Sequence, residues 1–306
     1  MFTILSIVIV LILVVSGIYF FPVSRVPFNK LYAAVPDEIW RSLQRFRGQH
    51  ALCQVRVSGL DWHYISVGDG EATILFLHGM GGGYDIWWQQ IEILQQNYRV
   101  IAPTYPPVHS LAELSRGIRA ILNQERIARF NVVGSSLGGY LAQYLVAEAP
   151  ARIQKAVFAN TFPPNDIFAK KTKIFGKILP FLPEWLVMQN LRKTTAKAIY
   201  PASGNNELVA AYMMEQSHGM MRKAQFVARL HCVLDYFQPA DLKMSGVEIL
   251  ILEADNDPLV EKTLRDMLKT AYPSATIKTL HGAGHFPYLN RAAEYTKILE
   301  EFFNGN

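Results

Sequence analysis

Charge is scarce in this sequence, and at one end it is missing altogether. Only 18% of the 306 residues are charged, against 50% apolar. That balance excludes a disordered, self-repelling chain and allows a large buried core. Cysteine is nearly absent: Cys53 and Cys232 stand far apart and in no Cys-x-x-Cys frame. A disulfide scaffold and a cysteine zinc site are thereby excluded, and both residues are expected as buried free thiols. No repeat or low-complexity tract is found. The net charge of +5 comes without a basic stretch interleaved with aromatics or a helix-turn-helix pattern, so nucleic acid is not an expected partner.

The charge-free stretch is Met1 to Phe21, MFTILSIVIVLILVVSGIYFF. It is long enough to read as a transmembrane helix. A cleaved signal peptide would want a basic start and a small-x-small site, but no Lys or Arg precedes the run and Ser16-Gly17 is a weak site. No lipobox cysteine follows. Residues 1–22 are therefore expected to be a single-pass anchor, and 23–51 a juxtamembrane linker. Arg25, Lys30, Arg41, Arg45 and Arg47 follow the run, so the positive-inside bias places the remaining chain on the cytoplasmic side. The same cations are expected to meet anionic headgroups.

Residues 28–50 read as an amphipathic linker or short helix. Beyond them, short β-branched or apolar runs occur at 53–57, 63–67, 73–77, 99–103, 130–133, 153–159, 247–252 and 276–279. Helix-period segments alternate with the later ones, at 87–97, 111–125, 137–149, 261–271 and 292–303. The first two strands are close enough for a hairpin. The rest require crossovers, hence a mostly parallel sheet covered by helices on both faces. Residues 162–240 break the rhythm: they hold helical stretches punctuated by Pro163-Pro164, Pro180, Pro183 and Pro201, and no convincing strand. They read as a helical cap inserted into a domain spanning 52–306. Met213, Met214, Met220 and Met221 suit an adaptable apolar surface there.

The chemistry centres on NVVGSSLGGY, residues 131–140. A G-x-S-x-G elbow puts serine on a strained turn between strand and helix, and the positions two before and two after must be small. For Ser135 those positions are Val133 and Leu137; for Ser136 they are Gly134 and Gly138. Ser136 is the candidate nucleophile. A serine hydroxyl needs a base, and the base an orienting carboxylate. In elbow proteins these follow in the order acid, then histidine. After the strand VEILIL comes EADNDPLV, where Asp257, on a turn before Pro258, is preferred to Asp255. After TIKTL comes HGAGHFPYL, where His285, beyond Gly282 and Gly284, is preferred to His281. An acyl-transfer centre also needs oxyanion donors. The loop HGMGGG offers the backbone N–H of Met80, and the elbow offers that of Leu137. His78 precedes the elbow and reads as a brace for its loop. HGMGGG lacks both G-x-G-x-x-G and a Walker lysine, so nucleotide binding is not expected. No metal or organic cofactor is called for.

The stretches HGMGGG, GSSLGG, EADNDPLV and GAGHFPYL, in that order, resemble the α/β-hydrolase fold superfamily over roughly residues 52–304. The resemblance implies an eight-stranded, mostly parallel sheet with a helical cap after the sixth strand. It also implies an acid at Asp257, although Ala254 stands where the family's G-x-x-D has glycine. RVIAPTYP, NVVGSSLGGYLAQ, FANTFPPNDIF, ARLHCVLDYF and HFPYLNRAAEY are similar to maspardin-type proteins. That likeness implies a binding or scaffold role, since that group lacks the histidine; this chain departs from it in carrying Ser136, Asp257 and His285 together. The expected function is a membrane-anchored serine hydrolase acting on a carboxylic ester or thioester with a hydrophobic acyl group. The alternatives are a maspardin-like binding protein, a carbon–carbon bond hydrolase and an acyltransferase.

Overall fold

The side chains of the strand β3 (Thr73–Leu77) are all buried, and they divide cleanly between two cores. Leu75 and Leu77 belong to one, Ile74 and Phe76 to the other. Alternation along a strand sends successive side chains to opposite faces, so a sheet covered on both sides needs continuous apolar runs in its centre. The computed structural model, which describes residues 2–241 and 246–305, has that architecture. Around β3 lie β1 (Cys53–Val57), β2 (Leu60–Val67), β4 (Arg99–Thr104), β5 (Phe130–Ser135), β6 (Ile153–Ala159), β7 (Glu248–Ala254) and β8 (Thr276–Leu280). Their order is β1-β2-β4-β3-β5-β6-β7-β8. Strand β2 pairs antiparallel with both β1 and β4, and all the other pairs are parallel.

The β1–β2 hairpin turns on two residues, Ser58 and Gly59, at φ of 51° and 84°. Positive φ at both positions gives the turn whose twist matches a hairpin. At the far edge, β8 is largely exposed, as an outermost strand can be.

The helices, in chain order, are α1 (Phe2–Tyr19), α2 (Phe28–Leu31), α3 (Asp37–Gln49), α4 (Trp88–Leu94), α5 (Leu111–Gln124), α6 (Leu137–Glu148), α7 (Asp166–Ile178), α8 (Glu184–Thr194), α9 (Tyr200–Ala202), α10 (Glu207–Glu215), α11 (Lys223–Leu234), α12 (Lys262–Ala271), α13 (Pro287–Asn290) and α14 (Ala292–Asn304). Helices α5, α6 and α12 cover one sheet face through residues such as Leu114, Leu141 and Leu268. Helices α3, α4 and α14 cover the other through Phe46, Ile91 and Leu299. Side-chain caps define several starts: Ser110 accepts from the Glu113 N–H, Asn165 from Phe168 and Asn206 from Val209. Between β6 and β7 the described chain is helical, α7 to α11, where the insertion was expected.

The N-terminal part departs from expectation. Among the described residues no helix is long and apolar enough to cross a membrane. Helix α1 is apolar and exposed from Ile4 to Val15, but its 18 residues rise about 27 Å, short of the ~30 Å hydrocarbon core. Met1, where the expected anchor starts, and Asn306, where the expected domain ends, lie outside the described residues. Residues 28–49 form the short helices α2 and α3, the helical one of the two readings, and they pack on the domain, with Tyr32, Val35, Leu43 and Phe46 buried in the core. Arg47, read as a headgroup contact, is turned inward. Its guanidinium makes two bonds of 2.9 Å to Glu215 of α10 and one of 2.6 Å to Asp85. Tyr32 donates to Glu215 and Tyr212 to Asp85, so one cation and two phenol donors together serve the two buried carboxylates. Cys232 is buried and Cys53 only partly so; both are free thiols.

Candidate active site

Strand β5 ends at Ser135 and α6 begins at Leu137, leaving Ser136 alone on the turn. Its backbone sits at φ 56°, ψ −120°, a region that L-residues avoid and that persists only when the surroundings enforce it. Those surroundings are tight. A Cβ built on Gly134 would lie 2.1 Å from the Gly138 carbonyl oxygen, and one on Gly138 would lie 2.0 Å from that of Leu77. The two serines part company here: Ser135 is fully buried, while Ser136 lines a cavity of ≈ 300 Å³.

His285 lines the same cavity. Its Nδ1 lies 2.7 Å from Asp257 Oδ2 and 2.9 Å from Oδ1, with both side chains buried. An ionised carboxylate only accepts, so the neutral imidazole carries its proton on Nδ1 and keeps a lone pair on Nε2. Asp257 is held in place by further donors: the N–H groups of Leu259 and Val260 and the side-chain amide of Asn160, at 2.9 Å. Burial by itself would raise its pKa, but attraction to His285 and these hydrogen bonds outweigh burial and leave it below the usual carboxylate range.

The rival pair also forms, elsewhere. His281 Nδ1 lies 2.7 Å from Asp255 Oδ2 with both side chains in solvent, and neither lines the cavity. Two histidine–aspartate pairs with nearly the same spacing thus differ in burial, and only the buried pair places its histidine in the cavity that Ser136 lines.

Leu137 directly follows the serine, and Met80 lines the same cavity. Leu137 is the first residue of α6, whose N–H has no intrahelical acceptor. Met80 lines the cavity, and its N–H has no acceptor among the described residues. The Met80 loop is fixed from behind. His78, fully buried, stacks on Tyr105 with ring centroids 3.8 Å apart. Its Nε2 accepts the Tyr105 N–H at 3.3 Å, so Nδ1 carries the proton and donates to the Gly79 carbonyl at 2.7 Å. Burial, reinforced by the nearby Arg229 cation, keeps its pKa well below the usual histidine range.

Two residues of this site carried no role in the sequence. Asn160, at φ 42°, reaches from the end of β6 to Asp257 and to the Gly284 carbonyl. Arg229 on α11 is 2% exposed and donates to the carbonyls of Met80 and Gly82 at 2.6 and 3.1 Å. A lone cation within the apolar run of α11 was the available signal for Arg229. The remaining cavity wall is mostly apolar and comes mostly from the cap, through Phe168, Leu191, Met213, Met221, Phe226 and Leu230, with Asn190, Thr194 and Gln216 among the polar exceptions. Of the four methionines singled out in the sequence, Met213 and Met221 line it, and Met220 is exposed.

Parallel sheet, serine elbow and buried histidine–aspartate pair define a class, and residues 74–298 match the model of the alpha/beta hydrolase family. The chain belongs to that family. It is similar to maspardin from Danio rerio, 28% identical over 285 residues, covering 88% of this chain and 87% of that protein. Among solved structures it is similar in fold to a meta-cleavage product hydrolase from Pseudomonas fluorescens, with a TM-score of 0.67 and 21% identity over 82% of this chain and 97% of that one. The enol-lactonase of Burkholderia xenovorans is likewise similar, with a TM-score of 0.67 and 19% identity, over 82% of this chain and all of that one.

Proposed function

We propose that this protein is a membrane-attached serine hydrolase that cleaves a carboxylic ester or thioester with a hydrophobic acyl group. The observation that carries the reading is that a serine on a strained turn and a buried, carboxylate-held histidine line one apolar cavity. In this reading His285 Nε2 takes the proton of Ser136 as its Oγ attacks the acyl carbon. The Met80 and Leu137 N–H groups hold the developing oxyanion, a contribution of about 3–4 kcal/mol per donor. Collapse of the tetrahedral intermediate expels the alkoxide or thiolate, which receives the proton from His285. Water, deprotonated by the same imidazole, then releases the carboxylic acid and restores the serine. Asp257 orients the ring and offsets its charge while it is protonated. Helix α1, with Phe20 and Phe21, supplies membrane attachment, with the folded part on the cytoplasmic side; protease protection in sealed vesicles tests that side.

The reaction is tested with a fluorophosphonate probe. Labelling of the wild type, retained in Ser135→Ala and lost in Ser136→Ala, is expected. A folded wild type that takes no label would sink the proposal.

A second reading, a binding protein without turnover, is favoured by the likeness to maspardin across 88% of the chain. It requires a ligand or partner that stays bound in Ser136→Ala and His285→Ala, with no hydrolysis of p-nitrophenyl or acyl-CoA esters of graded chain length.

A further inference from the structure

Helix α7 of the cap has three distinct sides. At 100° per residue, Ile167, Ile174 and Ile178 fall within an arc of about 40°; Lys170, Lys173 and Lys177, with Asp166 among them, lie about 40–100° to one side of it, and Lys171 borders the other side. Phe168, Thr172 and Phe175 lie along the other edge, and these three line the catalytic cavity. The isoleucines face solvent: Ile174 is 74% exposed and Ile178 49%, and Phe181, just past the helix, is 76% exposed. Phe175 is both cavity wall and outer surface, at 39% exposure, so the cavity reaches the exterior at this helix. Outside α7, Phe181 and the N-terminal run from Ile4 to Phe21, exposed hydrophobics such as Leu52, Ile93 and Ile277 lie apart from one another in the sequence.

This face is continuous with the end of α1. Lys223 Nζ donates to the Pro180 and Leu182 carbonyls at 3.1 and 2.8 Å and lies 5.7 Å from the Tyr19 ring centroid. The Trp185 indole donates to the Ile18 carbonyl at 2.8 Å. Between these elements lies a second cavity of ≈ 380 Å³, whose wall includes Arg25, Arg222 and Lys223 against one carboxylate, Glu184. Met221 lines both cavities.

We infer that the outer face of α7, together with Phe181 and the end of α1, docks on an anionic lipid bilayer, so that the cavity opens onto the membrane and takes its substrate from it. An amphipathic helix with lysines beside an isoleucine stripe binds an anionic interface by burying the stripe and pairing the cations with headgroups. Two separate elements then hold the mouth at Phe175 against the lipid. An amphiphile can slide its acyl chain into the apolar cavity without entering water. The docking rests on the exposed surface and not on the reaction proposed above.

The test uses the full chain with Cys53→Ser, carrying one introduced cysteine, Ile174→Cys or Phe181→Cys, labelled with a polarity-sensitive fluorophore. The labelled protein is mixed with phosphatidylcholine vesicles, with or without phosphatidylglycerol, containing doxyl-labelled lipid. Quenching is expected at both positions, stronger with phosphatidylglycerol, and none at Ile277→Cys on β8. Quenching at Val15→Cys in α1 with none at 174 and 181 would overturn the proposal, as would quenching that ignores phosphatidylglycerol. In the Ile174→Ser/Ile178→Ser double variant, KM for a long-chain ester presented in vesicles is expected to rise roughly tenfold or more. Turnover of a short soluble ester should stay unchanged, and an unchanged vesicle KM would overturn substrate entry at this face. Fluorophosphonate labelling of the same variants separates a failure of docking from a failure of the assigned reaction.

Discussion

Arg229 holds Met80 by its carbonyl, at 2.6 Å, from a position buried beneath the loop that carries the candidate oxyanion donor. Among the described residues the guanidinium reaches no carboxylate: its other hydrogen bonds go to the Gly82 carbonyl, Met221 Sδ and, at 3.5 Å, the Tyr105 carbonyl. Burial pushes its pKa down to about 10, so it stays charged at neutral pH. A desolvated cation aimed at loop carbonyls is an expensive way to fill space, and its effect is to fix the direction of the peptides around Met80.

Replacing Arg229 with Met should therefore loosen the donor while leaving Ser136 and His285 in place. Removing an oxyanion donor outright costs about 10²–10³ in kcat; misaiming one should cost roughly 10–100-fold, with KM less affected. Steady-state kinetics on a soluble p-nitrophenyl ester checks this, with circular dichroism confirming the fold. A folded variant with wild-type kcat would show that Arg229 only supports the fold.

Asp257 should leave its mark on stability as well as on turnover. Its folded-state pKa is lowered, so its ionised form contributes stability that is fully present above the unfolded carboxylate value of about 3.9 and is lost as pH falls through the folded value. Urea unfolding of wild type and Asp257→Asn from pH 7 downward should give a constant difference to about pH 5 and a shrinking one below. A difference independent of pH would remove the assignment. Turnover should fall by about 10⁴ in the same variant, because the imidazole loses its held tautomer.

Local pattern made much of this architecture legible. The continuous apolar runs of β3 and β5 can only be central strands, and the Gly134–Gly138 spacing chose Ser136 over Ser135 on size alone. Asp257 and His285, which pair in the structure, could be nominated because each follows a strand that the alternation marks. What escaped was long-range pairing. Asn160 meets Asp257 across 97 residues, Arg229 meets Met80 across 149 and Arg47 meets Glu215 across 168. Such partners have no period or spacing to betray them, and the arginine after an apolar helix was read as lipid-facing for that reason.

Arg47 gives a sharp case. It is 19% exposed and faces Glu215 and Asp85, which are 10% and 5% exposed. Removing one member of a buried charge group leaves the others unpaired, at about 3–5 kcal/mol. Arg47→Met should therefore lower stability by that order in thermal or urea unfolding. Arg41→Met, whose partner Asp37 is exposed, should change it by under about 1 kcal/mol. Similar losses in both would mean that the inner cluster contributes no more than a surface pair.

The elbow glycines allow a comparison of two kinds of cost. At Gly138 the φ is ordinary, but a methyl group would meet two backbone oxygens, of Leu77 at 2.0 Å and His78 at 2.9 Å. Neither can move without dragging β3 and the Met80 loop, so the collision cannot be relieved by a rotamer change. At Gly282 the reverse holds: φ is +68° and nothing lies within 4 Å of an added Cβ, leaving only backbone strain of about 1–2 kcal/mol. Gly138→Ala should then destabilise by at least about 3 kcal/mol and give little soluble protein, whereas Gly282→Ala should express normally with a small loss in melting temperature. Soluble yield and melting temperature, measured side by side, decide it. If Gly138→Ala is no worse than Gly282→Ala, the close approach of α6 to β3 is not what demands glycine at the elbow.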